Sequence, residues 1–134
     1  MAFNLEMYPI IYMAQYNPET KNWDEKWIEK DRVSLKELQA MSEEERANVL
    51  ANRNNLNLPG VSYTSQYGYG CFEGMKAFPT KDGGVSIFRP DRNAARFANS
   101  MKGLYCPAFP EEMYIKASAE FIRRNPDGLS GSPR

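Results

Sequence analysis

Two groups of residues in this sequence have types and spacing suited to chemistry. One is the run "QYGYGCFEGMKAF", Gln66 to Phe78, which puts glycines and aromatics where an ordinary strand would carry branched aliphatics. Gly68, Gly70 and Gly74 give no side-chain packing and cost backbone entropy, a loss that marks a bulge or a close approach of a ligand to the backbone. The other is the segment after Arg89-Pro90, where Arg92, Arg96 and Asn99 recur on one side of a helical pattern. That side reads either as the wet face of an amphipathic helix or as an arginine aimed at an anion, since the guanidinium fork matches phosphate oxygens.

The rest of the composition narrows the reaction classes. The chain has no histidine, which excludes Ser-His-Asp and Cys-His nucleophiles and the histidine-bearing zinc and iron sites. Cys71 and Cys106 are too few for an all-cysteine zinc site and have no CxxC spacing; they read as buried thiols in a reducing compartment rather than a disulfide. What remains is carboxylate acid–base work, a lysine Schiff base, or the anchoring of a cofactor that brings its own reactivity. Seventeen basic residues balance seventeen acidic ones, removing the electrostatic reason to expect nucleic acid or an anionic membrane as partner. No apolar run approaches the roughly 20 residues of a membrane helix. The N-terminus lacks the basic and apolar segments of a signal peptide, so a cytoplasmic location is expected.

The elements that must position these residues follow from local patterns. At 134 residues the chain is one domain long and can bury roughly 68% of its unfolded surface without a metal or disulfide. "PIIYMAQY" and "WDEKWIEKD", joined by "NPETKN", predict an N-terminal hairpin. Ser34 with Glu37 and Ser42 with Glu45 are successive capping boxes, predicting two short helices from Leu35 to about Asn52. "KDGG", Lys81 to Gly84, predicts a hairpin turn between a strand over Gly70–Phe78 and the strand Val85–Phe88. In that first strand Phe72, Gly74, Lys76 and Phe78 would face one way, and Cys71, Glu73, Met75 and Ala77 the other.

Asp91 is the expected N-cap of the next helix, whose core face would hold Ala94, Phe97, Ala98, Met101 and Tyr105. A last helix is expected over Pro110–Arg124, with acids at its start and arginines at its end as the helix dipole prefers. "NPDGLSGSPR", residues 125–134, reads as a frayed or disordered tail. The order of hairpin, helices, hairpin and two helices predicts an α+β fold, an antiparallel sheet with helices packed on it.

The segments "YGYGCFEGMKAF", "KDGG", "FRPDRNAARF" and "CPAFPEEMYIKASAEFIRR", in this order, resemble the small N-terminal domain of branched-chain aminotransferases, the fold-type-IV (class IV) pyridoxal-phosphate transferases. The resemblance covers about half the chain, from Tyr67 to Arg124. It implies that Tyr67 and Phe72 line the substrate side-chain pocket, that Arg96 binds the cofactor phosphate, and that the glycines let the backbone run close to the substrate. It implies pyridoxal 5'-phosphate as cofactor, branched-chain amino acids and 2-oxo acids as substrates, and a homo-oligomer with neither nucleic acid nor membrane as partner. Residues 1–60 match the pattern poorly, and Gln66 stands where a histidine is common.

In that family the Schiff-base lysine lies in a larger C-terminal domain, and no lysine here matches it. The resemblance therefore implies a small domain over residues 1–124, without the cofactor domain. The chain alone is expected neither to hold the cofactor stably nor to transaminate. No residue is assigned a catalytic role, and no metal is expected. Two alternatives stand beside this reading: a non-catalytic module on the same fold that associates with itself or a partner, and an unrelated α+β domain with Tyr67 and Phe72 in its core.

Overall fold

A computed structural model describes residues 7–129, and among them the α+β class is as read from the sequence, with its strands in two separate two-stranded antiparallel sheets. The described residues form two compact units, one from residues 7–57 with 123–129 and the other from 58–122.

In the first unit, β1 (Ile10–Asn17) pairs with β2 (Asn22–Glu29) from Ile10↔Glu29 to Asn17↔Asn22. The turn between them is set by Asn17, whose Oδ1 accepts from the backbone N–H groups of Glu19 and Thr20, a local bond that competes with strand pairing and reverses the chain. Register puts Tyr12 opposite Trp27 and Tyr16 opposite Trp23 on one face, with ring centroids 5.0 and 5.4 Å apart. Such cross-strand aromatic pairs help hold a two-stranded ribbon that is marginal by itself. Arg124 stacks its guanidinium over the same Trp27 ring at 4.5 Å.

Both capping boxes form as expected, starting α1 (Leu35–Ala40) at Ser34 and α2 (Glu43–Asn54) at Ser42. Near the end of α2, Arg53 is buried and forks onto Asp31 with two 2.8 Å bonds, giving a third to the Val33 carbonyl. Residues 125–129, the start of the expected frayed tail, are structured: Pro126–Leu129 is a 3-10 turn. Asn125 is buried, accepting from the Ile10 N–H and donating to the Ile10 carbonyl. It thereby satisfies backbone groups of a β1 edge residue that would otherwise be left unpaired. Residues 130–134 of that tail lie outside the described residues.

The second unit departs further from expectation. Ser62 caps a short helix, α3 (Tyr63–Tyr67), which Gly68 ends in the left-handed conformation at φ 65°, a conformation that costs glycine little. The strand expected over Gly70–Phe78 shrinks to β3 (Ala77–Pro79), paired with β4 (Val85–Ile87). Gly68–Lys76 has no regular secondary structure, because its glycines weaken extended pairing and β4 reaches only as far as Ala77.

Helix α4 (Pro90–Gly103) does not use Asp91 as its N-cap: Arg89 holds that place at φ 49° with Pro90 at the first turn, and Asp91 pairs with Arg89 at 2.7 Å. Ala94 and Ala98 are buried, and Phe97 stacks with Phe109 and with Tyr114 of α5 (Glu111–Arg124). Tyr105 is not on this core face but exposed, since α4 stops at Gly103 and Tyr105 turns left-handed at φ 57°. Cys71 is likewise exposed rather than buried, and both cysteines are free thiols.

Candidate functional site

Arg96 lies three residues beyond Asn93 on α4, so both reach the same neighbour, the loop after α3. Arg96 donates from Nε to Glu73 Oε2 at 3.1 Å and from Nη2 to Oε1 at 2.6 Å. Asn93 is buried and donates from Nδ2 to Glu73 Oε1 at 2.8 Å and to the Gly74 carbonyl at 2.9 Å. One asparagine and one arginine therefore hold the Phe-Glu-Gly segment against α4 without a strand ladder. A forked guanidinium–carboxylate pair fixes orientation as well as charge. The Arg96 guanidinium and then Asn93 hold the Glu73 carboxyl below the usual carboxylate range, against its burial. Ionised and engaged at both oxygens, Glu73 is occupied as an acceptor and is a poor candidate for general base.

The fork is asymmetric in exposure. The Arg96 side chain is 62% exposed and that of Glu73 only 10%. Nη1 of Arg96 makes no hydrogen bond among the described residues, which leaves one edge of the guanidinium open to an anion. No lysine joins this network, and no cluster that could hold a metal ion occurs among the described residues.

Phe72 and Tyr67 flank this network in sequence and are 85% and 78% exposed. Phe72 lies over Gly74: a Cβ built there would sit 3.3 Å from its Cζ and 3.4 Å from its Cε1. Tyr67, at the end of α3, pairs its ring with Tyr63 at 6.3 Å. The structure thus joins Phe72, Glu73, Asn93 and Arg96 in one contiguous network and leaves Tyr67 in a separate tyrosine cluster with Tyr63 and Tyr69. The sequence reading missed Glu73 and Asn93. Their signal was present: a polar Asn three residues ahead of an arginine, and an acid between the glycines it must meet. Although no ladder forms, the expected alternation survives in part: Glu73, Met75 and Ala77 are half-buried while Phe72, Lys76 and Phe78 are exposed.

Over part of its length the chain is similar to aminotransferases. The kind represented by its first relatives is the branched-chain-amino-acid aminotransferase: that of Haemophilus influenzae is 36% identical over 80 residues, 60% of this chain and 23% of the relative. That of Helicobacter pylori is 40% identical over 81 residues, 60% of this chain and 24% of the relative. A protein described only as a transaminase, from Aspergillus rugulosus, is 39% identical over 62 residues, 46% of this chain and 16% of the relative. The chain spans about a quarter of the length of the curated branched-chain relatives it matches. No protein-family model matches it.

Proposed function

We propose that residues 1–124 act as the small domain of a branched-chain amino acid aminotransferase, a part that shapes the substrate pocket and makes one contact to the cofactor phosphate. In this reading Tyr67 and Phe72 are apolar wall for a Leu, Ile or Val side chain, and Arg96 is the phosphate contact. The observation that carries it is the Arg96–Glu73 fork, which fixes the guanidinium while one exposed edge is left open. Those residues fit a single phosphate contact, because one guanidinium edge cannot satisfy a dianion alone. Pyridoxal 5'-phosphate, when bound, supplies the electron sink for moving an amino group from a branched-chain amino acid to a 2-oxo acid such as 2-oxoglutarate. The residues of this chain orient the phosphate, present the apolar wall and leave the proton transfers to other groups. The balanced charge gives no electrostatic reason for a nucleic-acid or anionic-membrane partner; no helix among the described residues is long and apolar enough to cross a membrane.

Binding is tested on the 134-residue chain by titrating pyridoxal phosphate and following Arg96 Nε–H by NMR. A weak but saturable shift, in keeping with a chain that does not hold the cofactor stably by itself, is expected, and Arg96→Gln should abolish it along with the accompanying backbone shifts. Identical backbone shifts in Arg96→Gln would sink the phosphate assignment. With leucine and 2-oxoglutarate the chain alone is expected to give no turnover, and borohydride reduction no stoichiometric lysine adduct; either product would show that the chain carries its own chemistry.

The exposed apolar side chains of the second unit, among them Val61, Phe72, Phe88 and Tyr105, favour a second reading, a module that associates with itself or with a full-length subunit. Light scattering that finds a monomer at all concentrations, with and without a full-length aminotransferase, would exclude it.

A further inference from the structure

We infer that Glu73 and Asn93 are positioning residues that couple the anion contact at Arg96 to the stance of the Phe72 ring, so that the phosphate end and the side-chain end of the pocket respond together. The inference rests on the reading of Arg96 as a phosphate contact. Its basis is a series of hydrogen-bonded neighbours within the second unit that ends beside the Phe72 ring. Arg96 forks onto Glu73, Asn93 ties Glu73 Oε1 to the Gly74 carbonyl, and Phe72 rests over Gly74. A buried asparagine that bonds a neighbouring side chain and the next residue's carbonyl through one Nδ2 leaves little freedom between them. An anion held at the open Nη1 edge shares the charge of the same guanidinium with the Glu73 carboxylate, which weakens the fork and lets it loosen or turn. Glu73 cannot turn without disturbing the Asn93 bond that also fixes Gly74. With the ring occupying the space that a Cβ at Gly74 would meet at 3.3 Å, and the ring otherwise exposed, Phe72 is the group free to move. The two-state element on which such coupling depends is the fork itself, closed on Glu73 or shared with the anion.

A purely structural role would fasten the loop to α4 and leave Phe72 indifferent to an anion at Arg96. The two are separated by titrating the whole chain with inorganic phosphate while following Arg96 Nε–H by NMR and the Phe72 ring by 19F of incorporated 4-fluorophenylalanine, assigned with Phe72→Leu. In the wild type both signals are expected to shift with one dissociation constant. Glu73→Gln keeps the side-chain volume but sets an amide N–H against the Arg96 Nε–H, so the fork is lost; Asn93→Ala breaks the second link. In each variant Arg96 should still respond while the Phe72 shift is lost. Should Glu73→Gln fail to fold, shown by collapse of amide dispersion, Asn93→Ala decides alone, and the reverse holds. A Phe72 shift that persists in the folded variants, or one absent from the wild type while Arg96 responds, would overturn the coupling and leave the phosphate assignment standing. An Arg96 signal unmoved by phosphate in the wild type would instead refute the phosphate assignment and the coupling together.

Discussion

Replacing Asp31 by alanine strands a buried guanidinium, and the cost follows from the geometry. Arg53 is 7% exposed and Asp31 14% exposed at the side chain, and two 2.8 Å bonds join them. Asp31 also accepts from the Val33 N–H at 2.9 Å. After Asp31→Ala, Arg53 keeps only the Val33 carbonyl. Removing one partner of a buried ion pair costs about 3–5 kcal/mol because the other charge remains out of water. At a urea slope of about 2 kcal/mol/M, a loss of about 3 kcal/mol moves the midpoint by about 1.5 M. The chain has two tryptophans, Trp23 and Trp27, and both lie on β2 in the same unit as the pair. Tryptophan fluorescence therefore follows the unfolding of that unit specifically.

The double variant Asp31→Ala with Arg53→Met removes both charges and should recover most of the loss. Asp31→Asn should also abolish part of the acid sensitivity. The Arg53 bonds hold the Asp31 carboxyl below its ordinary value despite burial, so the native state binds fewer protons than the unfolded chain there. The stability this provides is full above the unfolded value of about 3.9 and is lost as pH falls through the depressed native value. A loss under about 1 kcal/mol for Asp31→Ala, on the scale of exposed pairs, or a double variant no better than the single, would refute the reasoning.

Asn125→Ala leaves the Ile10 N–H and carbonyl without their side-chain partner and should cost about 1–3 kcal/mol in the same fluorescence assay; an unchanged midpoint would show the segment after α5 to be dispensable. Ser42→Ala removes the oxygen that accepts from the Glu45 N–H at the start of α2 and should lower stability by about 1 kcal/mol. Loss of far-UV helical signal without a shift in midpoint would instead point to local fraying.

What could be read in the sequence depended on how local the cause was. The hairpin, the capping-box helices and α5 followed from periodicity and from partners within a few residues, as in the Ser42 cap and the Asn17 turn. The failures were of another kind. Asp91 was a sound N-cap by type, but Pro90 moved the helix start to Arg89, and Asp91 became that residue's ion-pair partner. Tyr105 fitted the helical face by spacing until a left-handed turn after Gly103 carried it off that face. The Gly70–Phe78 strand had the alternation of a strand but too short a partner to pair with.

The candidate site divides the same way. Arg96 was legible as an outward arginine and Phe72 as an apolar residue among glycines, because exposure follows from helical spacing and glycines report close approach. By itself the sequence determined the α+β class, the capped helices and the residue types able to meet an anion and an apolar side chain, since each rests on interactions within a turn or two of chain. Only the tertiary structure decided that Glu73 and Asn93 bind Arg96 to the Phe72 loop, and that Asp31 neutralises a buried Arg53. Those partners stand 23 and 22 residues apart for the two arginines, and no local propensity specifies which carboxylate a distant guanidinium will meet once folding has brought them together.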